Sequence, residues 1–94
     1  MDKNAIKMLF DNGVVQAAEI IESPTKPMHW NIQFRLRNGS IEILEDSRGK
    51  GAKIYSKLDT AARAVNLIGF KSVSISMPTH MGQAIPKPED FNLG

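Results

Sequence analysis

A basic run from Arg48 to Lys57 is the most distinctive group of charged residues in this chain. It contains four cationic side chains and two glycines but no acidic residue. Cations grouped in this way attract phosphates or acidic protein surfaces, and each phosphate that they neutralise releases counterions. The run therefore predicts a contact surface for DNA or for an acidic protein partner. The candidate nucleic-acid-binding residues are Arg48, Lys50, Lys53, Lys57 and Arg63.

The same run has a simpler interpretation as a mobile connection, in which glycines form turns and lysines serve solubility. It does not match a P-loop, which needs four residues between its glycines and then Gly-Lys-Ser/Thr. Here one residue separates Gly49 from Gly51, and Ala52 follows. An acidic patch directly precedes the run, and it consists of Glu42, Glu45 and Asp46. A surface with both signs of charge suits protein contact as well as DNA contact, so both partners stay open.

The composition is that of one small globular domain. The chain has 94 residues, a formal net charge of +2 and no cysteine, which excludes disulfides and thiolate metal sites. No apolar run approaches the roughly 20 residues that a membrane-spanning helix needs. The first residues contain no cationic segment followed by an apolar core, so we expect no secretion signal and a cytoplasmic protein.

Residue types that could support catalysis are few. His29 stands at the start of a strand pattern without a carboxylate in local register, and His80 lies in a segment without periodicity. The serines at 72, 74 and 76 alternate with apolar residues, which is typical of the solvent face of a strand. No zinc spacing, calcium loop or nucleophile motif is present. We therefore predict a protein that is not an enzyme and that takes no cofactor, metal or small-molecule substrate.

The first half of the chain predicts a helix followed by strands. Apolar residues at helical spacing predict a helix from Asn4 to Phe10, with Gly13 near its end. Residues 14–21 are a candidate strand, although two consecutive alanines leave helix as an alternative. Two prolines mark residues 23–27 as a loop.

The clearest element is a β-hairpin around Asn38-Gly39, the dipeptide that best tolerates a type I′ turn. Apolar and polar residues alternate from Trp30 to Arg37, so Trp30 and Phe34 are expected in the core rather than on a base-stacking surface. A two-residue loop would place both isoleucines of the next strand on the buried face and would form a cross-strand ion pair. The expected pairs are Leu36 with Ile41, Arg35 with Glu42 and Phe34 with Ile43.

The second half predicts one main helix and a final strand. Ser56 and Asp59 stand at capping-box spacing, and an apolar stripe follows from Leu58 to Ile68 before Gly69. A strand is expected from Lys71 to Met77, and residues 78–94 are expected to be a disordered tail. The predicted fold is α+β, a small antiparallel sheet with both helices on one face. Residues 1–77 would form the single domain.

Two parts of the chain together resemble a known family. The segment from Tyr55 to Phe70 opens with an aromatic residue and Leu-Asp, and it closes on Gly-Phe before an alternating strand. Upstream stand Gly13-Val14-Val15, a short strand, Trp30, a hairpin and an arginine-glycine loop. This order resembles the small ParC-type partition-associated proteins of plasmids and integrative elements, over roughly residues 5–77.

The resemblance implies an accessory protein of mobile DNA that serves maintenance, partition or transfer and has no catalytic residues. It does not decide whether the partner is DNA or protein. The leading hypothesis is DNA contact through the basic run. The second hypothesis is a protein-interaction module, for instance a homodimer that pairs through the exposed edge strand from Lys71 to Met77.

Overall fold

The computed structural model describes residues 1–49 and 51–76, and the expected tail at 78–94 therefore lies outside the described residues. Along the chain, one helix is followed by three strands, a second helix and a fourth strand. Their bounds are α1 Lys3–Asp11, β1 Val15–Glu22, β2 Trp30–Leu36, β3 Ile41–Ile43, α2 Leu58–Ile68 and β4 Ser74–Ile75.

Helix α1 confirms the helix expected from Asn4 to Phe10. It begins after Asp2, whose carboxylate accepts a hydrogen bond of 2.9 Å from the backbone N–H of Ala5 and so satisfies a helix-start donor. Its one fully buried side chain is Ile6. The helix ends at Asp11, and Gly13 follows its C-cap Asn12 with a φ of 74°, in the left-handed region that glycine tolerates.

Strands β1 and β2 form the centre of the sheet. Residues Val15–Glu22 are a strand, so the helical alternative for the two alanines is wrong. They pair antiparallel with β2, which places Ala18 opposite Phe34 and Ile20 opposite Ile32. The alternation predicted for β2 is confirmed, because one face of this strand is buried throughout. The core residues on that face are Trp30, Ile32, Phe34 and Leu36.

The register of β3 differs by one residue from the predicted one. Arg35 pairs with Ile41 and Phe34 pairs with Glu42. All three expected pairs are therefore wrong, namely Leu36–Ile41, Arg35–Glu42 and Phe34–Ile43. The chain turns through three residues rather than two, with Gly39 at a φ of 92° and a 2.9 Å bond from its N–H to the Leu36 carbonyl. A three-residue loop that ends in a left-handed glycine is a common alternative to type I′. The shift moves the isoleucines to the opposite face and places Leu44, 1% exposed, in the core.

Helix α2 has the predicted bounds and apolar face, but it starts without the expected capping box. Its N-cap residue is Lys57 and no side chain caps it. The Asp59 carboxylate accepts a bond from the N–H of Thr60 instead of reaching back to Ser56. After Gly69 the chain turns so that the ring of Phe70 packs 4.6 Å from Phe10 and 5.9 Å from Phe34, measured between centroids.

The four strands form one sheet in the order β3-β2-β1-β4. Strand β4 covers only Ser74–Ile75 of the longer strand expected, and it runs parallel to β1, so the sheet is mixed rather than wholly antiparallel. Both helices pack on one face of the sheet and the fold is α+β, as predicted. Within the described residues, neither helix has the length and apolar character that a membrane crossing requires.

Candidate nucleic-acid interface

The basic run lies on a hairpin that projects from the β3 edge of the sheet. We call residues 44–53 the basic hairpin. The N–H of Lys53 donates to the Leu44 carbonyl at 2.9 Å, and the N–H of Asp46 donates to the Gly51 carbonyl at 2.8 Å. An isolated antiparallel bridge joins Glu45 to Ala52 between these two bonds. The ladder gives residues 44–46 and 51–53 a defined backbone, and Lys50 lies outside the described residues.

The tip of the basic hairpin is closed by Asp46. Its carboxylate accepts a 2.9 Å bond from the N–H of Arg48, and its carbonyl accepts a 2.9 Å bond from the N–H of Gly49. Such turns built on an aspartate side chain compete well with regular structure. Gly49 has a φ of 74°, which suits the reversal. The turn therefore leaves Arg48 exposed at the tip and uses the neighbouring acidic side chain to hold the backbone.

The base of the basic hairpin is fixed to β2. The buried Asn31 side chain donates a 2.8 Å hydrogen bond to the Lys53 carbonyl, and Trp30 and Tyr55 exchange two backbone bonds of 2.8 Å. The Lys53 ammonium lies 5.7 Å from the centroid of the Tyr55 ring, within the range of a cation–π contact. Burial raises the pKa of the Tyr55 hydroxyl, so this group stays neutral at physiological pH.

A cleft of about 100 Å³ opens beside the base of the hairpin. Lys3 at the start of α1 lines it together with Lys53, so that two lysines from distant parts of the chain border one space. Glu45 borders the same cleft, and its carboxylate lies 2.6 Å from the amino nitrogen of Met1. Sequence spacing could not reveal Lys3, because only the fold brings α1 against the hairpin.

The remaining candidates lie on α2. Lys57 is exposed at the N-cap position, four residues after Lys53 but separated from it by an extended segment rather than a helical turn. Arg63 is exposed six residues farther, which is about 9 Å along the helix axis. The structure therefore groups Lys53 with Lys3, and it places Arg63 one and a half turns into the helix.

Other titratable groups are dispersed. Within residues 1–49 and 51–76, no three His, Cys, Asp or Glu side chains are arranged to hold a metal ion. The His29 ring contacts the Pro27 carbonyl at 2.9 Å on the surface, while His80 lies outside the described residues.

Comparisons with protein-family models, with curated proteins and with solved structures return no match. The resemblance to ParC-type proteins therefore stays a prediction from sequence. The surfaces described above are therefore the basis for a proposed function.

Proposed function

We propose that this chain is a non-enzymatic accessory protein of a plasmid or related mobile element, acting in maintenance, partition or transfer, and that it contacts DNA phosphates through the basic hairpin. The supporting observation is the hydrogen-bonded ladder that presents Arg48 at the tip and anchors Lys53 at the base. Lys50 belongs to the same hairpin by sequence, and Lys57 follows at the start of α2.

Two features of the hairpin favour phosphate contact over a purely connecting role. Ladder bonds hold the backbone of residues 44–46 and 51–53, so binding costs less conformational entropy than it would for a loose loop. The nearest acidic side chain, Asp46, is engaged with the Arg48 N–H inside the turn. Arg48 and Lys57 are both exposed, and neither side chain forms a hydrogen bond or an ion pair with a described residue.

The test is fluorescence anisotropy with a labelled random-sequence duplex, titrated over a series of salt concentrations. If the cations at 48, 50, 53 and 57 each contact one phosphate, the logarithm of the binding constant should fall with the logarithm of salt at a slope of about −3.6. The double variant R48E/K57E removes two contacts without disturbing a bonded side chain. It should halve the slope to about −1.8 and weaken binding at low salt.

The control is K71E, a single charge reversal with half the charge change of R48E/K57E, in an exposed residue next to the opposite edge strand, β4. It should leave the slope near that of the unchanged protein. Equal weakening by K71E and by R48E/K57E would overturn the hairpin assignment. A complete lack of binding at low salt would exclude DNA as a direct ligand and leave an acidic protein surface as the partner of these cations.

A second candidate function is a protein-interaction module that pairs through the edge strand expected from Lys71 to Met77. The observation in its favour is that β4 lies at the edge of the sheet and that Ile75 is 44% exposed there. Unpaired edges of this kind add strands from other chains. The N–H of Ser76 faces β1, so by alternation that of Ile75 faces the free edge. The I75P variant removes this edge donor, and an unchanged mass in solution would argue against edge pairing.

A further inference from the structure

The chain contains two Asn-Gly dipeptides, Asn12-Gly13 and Asn38-Gly39, and the fold holds them in different ways. An asparagine that precedes glycine can react with its own backbone. Glycine has no Cβ that would hinder the approach of its nitrogen to the side-chain carbonyl of the asparagine. The reaction needs no enzyme, so the hydrogen bonds around each dipeptide decide whether it proceeds in the folded protein.

Asn38 lies at the exposed tip of the turn between β2 and β3. Its side-chain oxygen accepts a hydrogen bond of 2.9 Å from the N–H of Ser40. A donor at this oxygen polarises the carbonyl and stabilises the negative charge that develops there when a nucleophile adds to the carbon. The nucleophile is the nitrogen of Gly39, whose N–H is held by a 2.9 Å bond to the Leu36 carbonyl. The bond that shapes the turn therefore also activates the side chain of Asn38.

The tip of this turn can open without unfolding the core. Residues 37–41 are all exposed, and the strand that follows them, β3, is three residues long and lies at the edge of the sheet. The turn closes through the bond from Gly39 to Leu36 and a 2.8 Å bond from the Leu36 N–H to the Ser40 carbonyl. Exposed segments of this kind open locally at a much lower free energy than core strands. Local opening therefore frees the Gly39 nitrogen for attack.

Asn12-Gly13 is held more firmly, at the junction between α1 and β1. The side-chain nitrogen of Asn12, which is the leaving group of the reaction, donates a 3.0 Å bond to the Met8 carbonyl. The N–H of Gly13 donates a 3.0 Å bond to the Phe10 carbonyl, and the Gly13 carbonyl accepts a bond from the Arg37 side chain. Freeing the Gly13 nitrogen therefore requires that the end of α1 separates from the sheet.

We propose that Asn38 is a site of spontaneous deamidation in the folded protein and that the fold protects Asn12 from the same reaction. The Gly39 nitrogen loses its proton to water as it forms a bond to Cγ of Asn38. The bond from Cγ to Nδ2 breaks, and the amide nitrogen takes up a proton and leaves as ammonia. Water then opens the cyclic imide at either carbonyl, which gives aspartate or isoaspartate. Water is consumed, ammonia is released, and nothing is oxidised or reduced.

The products change the turn that positions β3. Either one adds a negative charge beside Arg37, and isoaspartate also lengthens the main chain of the loop by one carbon atom. Loop length fixes the register of a hairpin, so the isoaspartate form should pair β3 less firmly with β2. The inference rests on the geometry of this turn and does not depend on DNA contact.

The test is incubation of the purified full chain at mildly alkaline pH, followed over time by peptide mapping with tandem mass spectrometry. A protease that cuts after glutamate places the two sites in separate peptides, because Glu22 lies between them. Chromatography separates the aspartate and isoaspartate forms of each peptide. In the folded protein, the rate at Asn38 should exceed the rate at Asn12 at least about tenfold, because local opening frees only the first site.

Unfolding supplies the control for this ratio. In concentrated urea both dipeptides lose their hydrogen bonds, so the two rates should become similar. The N38Q variant keeps an amide at the tip but would need a larger ring, so it should abolish the product at position 38 and leave position 12 unchanged. A position 38 that stays unmodified in the folded protein overturns the proposal. So does a ratio of the two rates that is no larger in the folded protein than in urea.

Discussion

Replacing Leu44 with alanine should destabilise the protein several times more than the same replacement at Ile41. Leu44 is 1% exposed and belongs to the core cluster, whereas Ile41 is 47% exposed on the opposite face of the sheet. The two residues lie three positions apart at one sheet edge. The pair therefore forms a matched comparison of a buried and an exposed aliphatic side chain.

The magnitude follows from burial. Removing three carbon groups from a buried side chain costs about 0.8 kcal/mol each in transfer free energy, and the cavity left behind adds to this. For L44A we expect a loss of about 3 to 4 kcal/mol in the free energy of unfolding. For I41A about half of the transfer free energy applies and no cavity forms, so the loss should be about 1 kcal/mol.

The assay is urea unfolding followed by the fluorescence of Trp30, the single tryptophan, which is 3% exposed and should report loss of the core. With a slope of about 1 kcal/mol per molar urea, L44A should lower the midpoint by about 3 M and I41A by about 1 M. The measurement belongs at submicromolar concentration, so that dimerisation makes no contribution. A larger loss for I41A than for L44A would refute the observed register and support the two-residue turn.

Three further outcomes are expected. G69A should lower the free energy of unfolding by about 3 kcal/mol, because Gly69 has a φ of 137° and an added Cβ would collide with the Phe10 ring. G39A should cost only about 1 kcal/mol, since a Cβ at Gly39 would meet open space. Thermal melts that give equal losses for the two variants would contradict the packing of Gly69 against Phe10. D2A should cost about 1 kcal/mol by removing the α1 cap bond to Ala5, and circular dichroism should show the same lowered midpoint; no change would mean that the cap is not formed.

The third concerns pH. Hydrogen bonds from Ser76 and then from Gln33, helped by the charge of Arg35, lower the pKa of Glu19 below its ordinary 4.5. The unfolded chain therefore binds a proton more readily, and the stabilisation present above pH 4.5 is lost as pH falls through the lowered pKa. E19Q should flatten this acid-side slope, and an unchanged slope would show that the bonds to the carboxylate do not contribute.

Local sequence patterns predicted well those helices and strands whose formation depends on residues close together in the chain. The period-two alternation of β2 and the helical stripe of α2 reproduce the observed bounds, because each pattern reflects one buried face of one element. The β3 register could not be derived in the same way. Asn38-Gly39 suits two turn lengths, and the choice between them depends on whether Leu44 or the isoleucines fill the core.

The residues of the candidate DNA-contact surface likewise differ in whether the sequence could reveal their grouping. Arg48, Lys53 and Lys57 are visible in the sequence because they are close together in it, and the structure adds the ladder that orders their hairpin. The approach of Lys3 to Lys53 joins residues that are far apart in the chain, so no spacing rule could indicate it.

The fold class, the central hairpin strand and the basic segment before the main helix follow from the amino-acid sequence alone, because each depends on a short-range pattern of residue types. The β3 register, the parallel placement of β4 and the diagonal placement of Glu19 beside Arg35 became visible only in the folded chain. These features depend on which strands become neighbours and on how the core fills. Both are consequences of packing among residues that are distant in the chain.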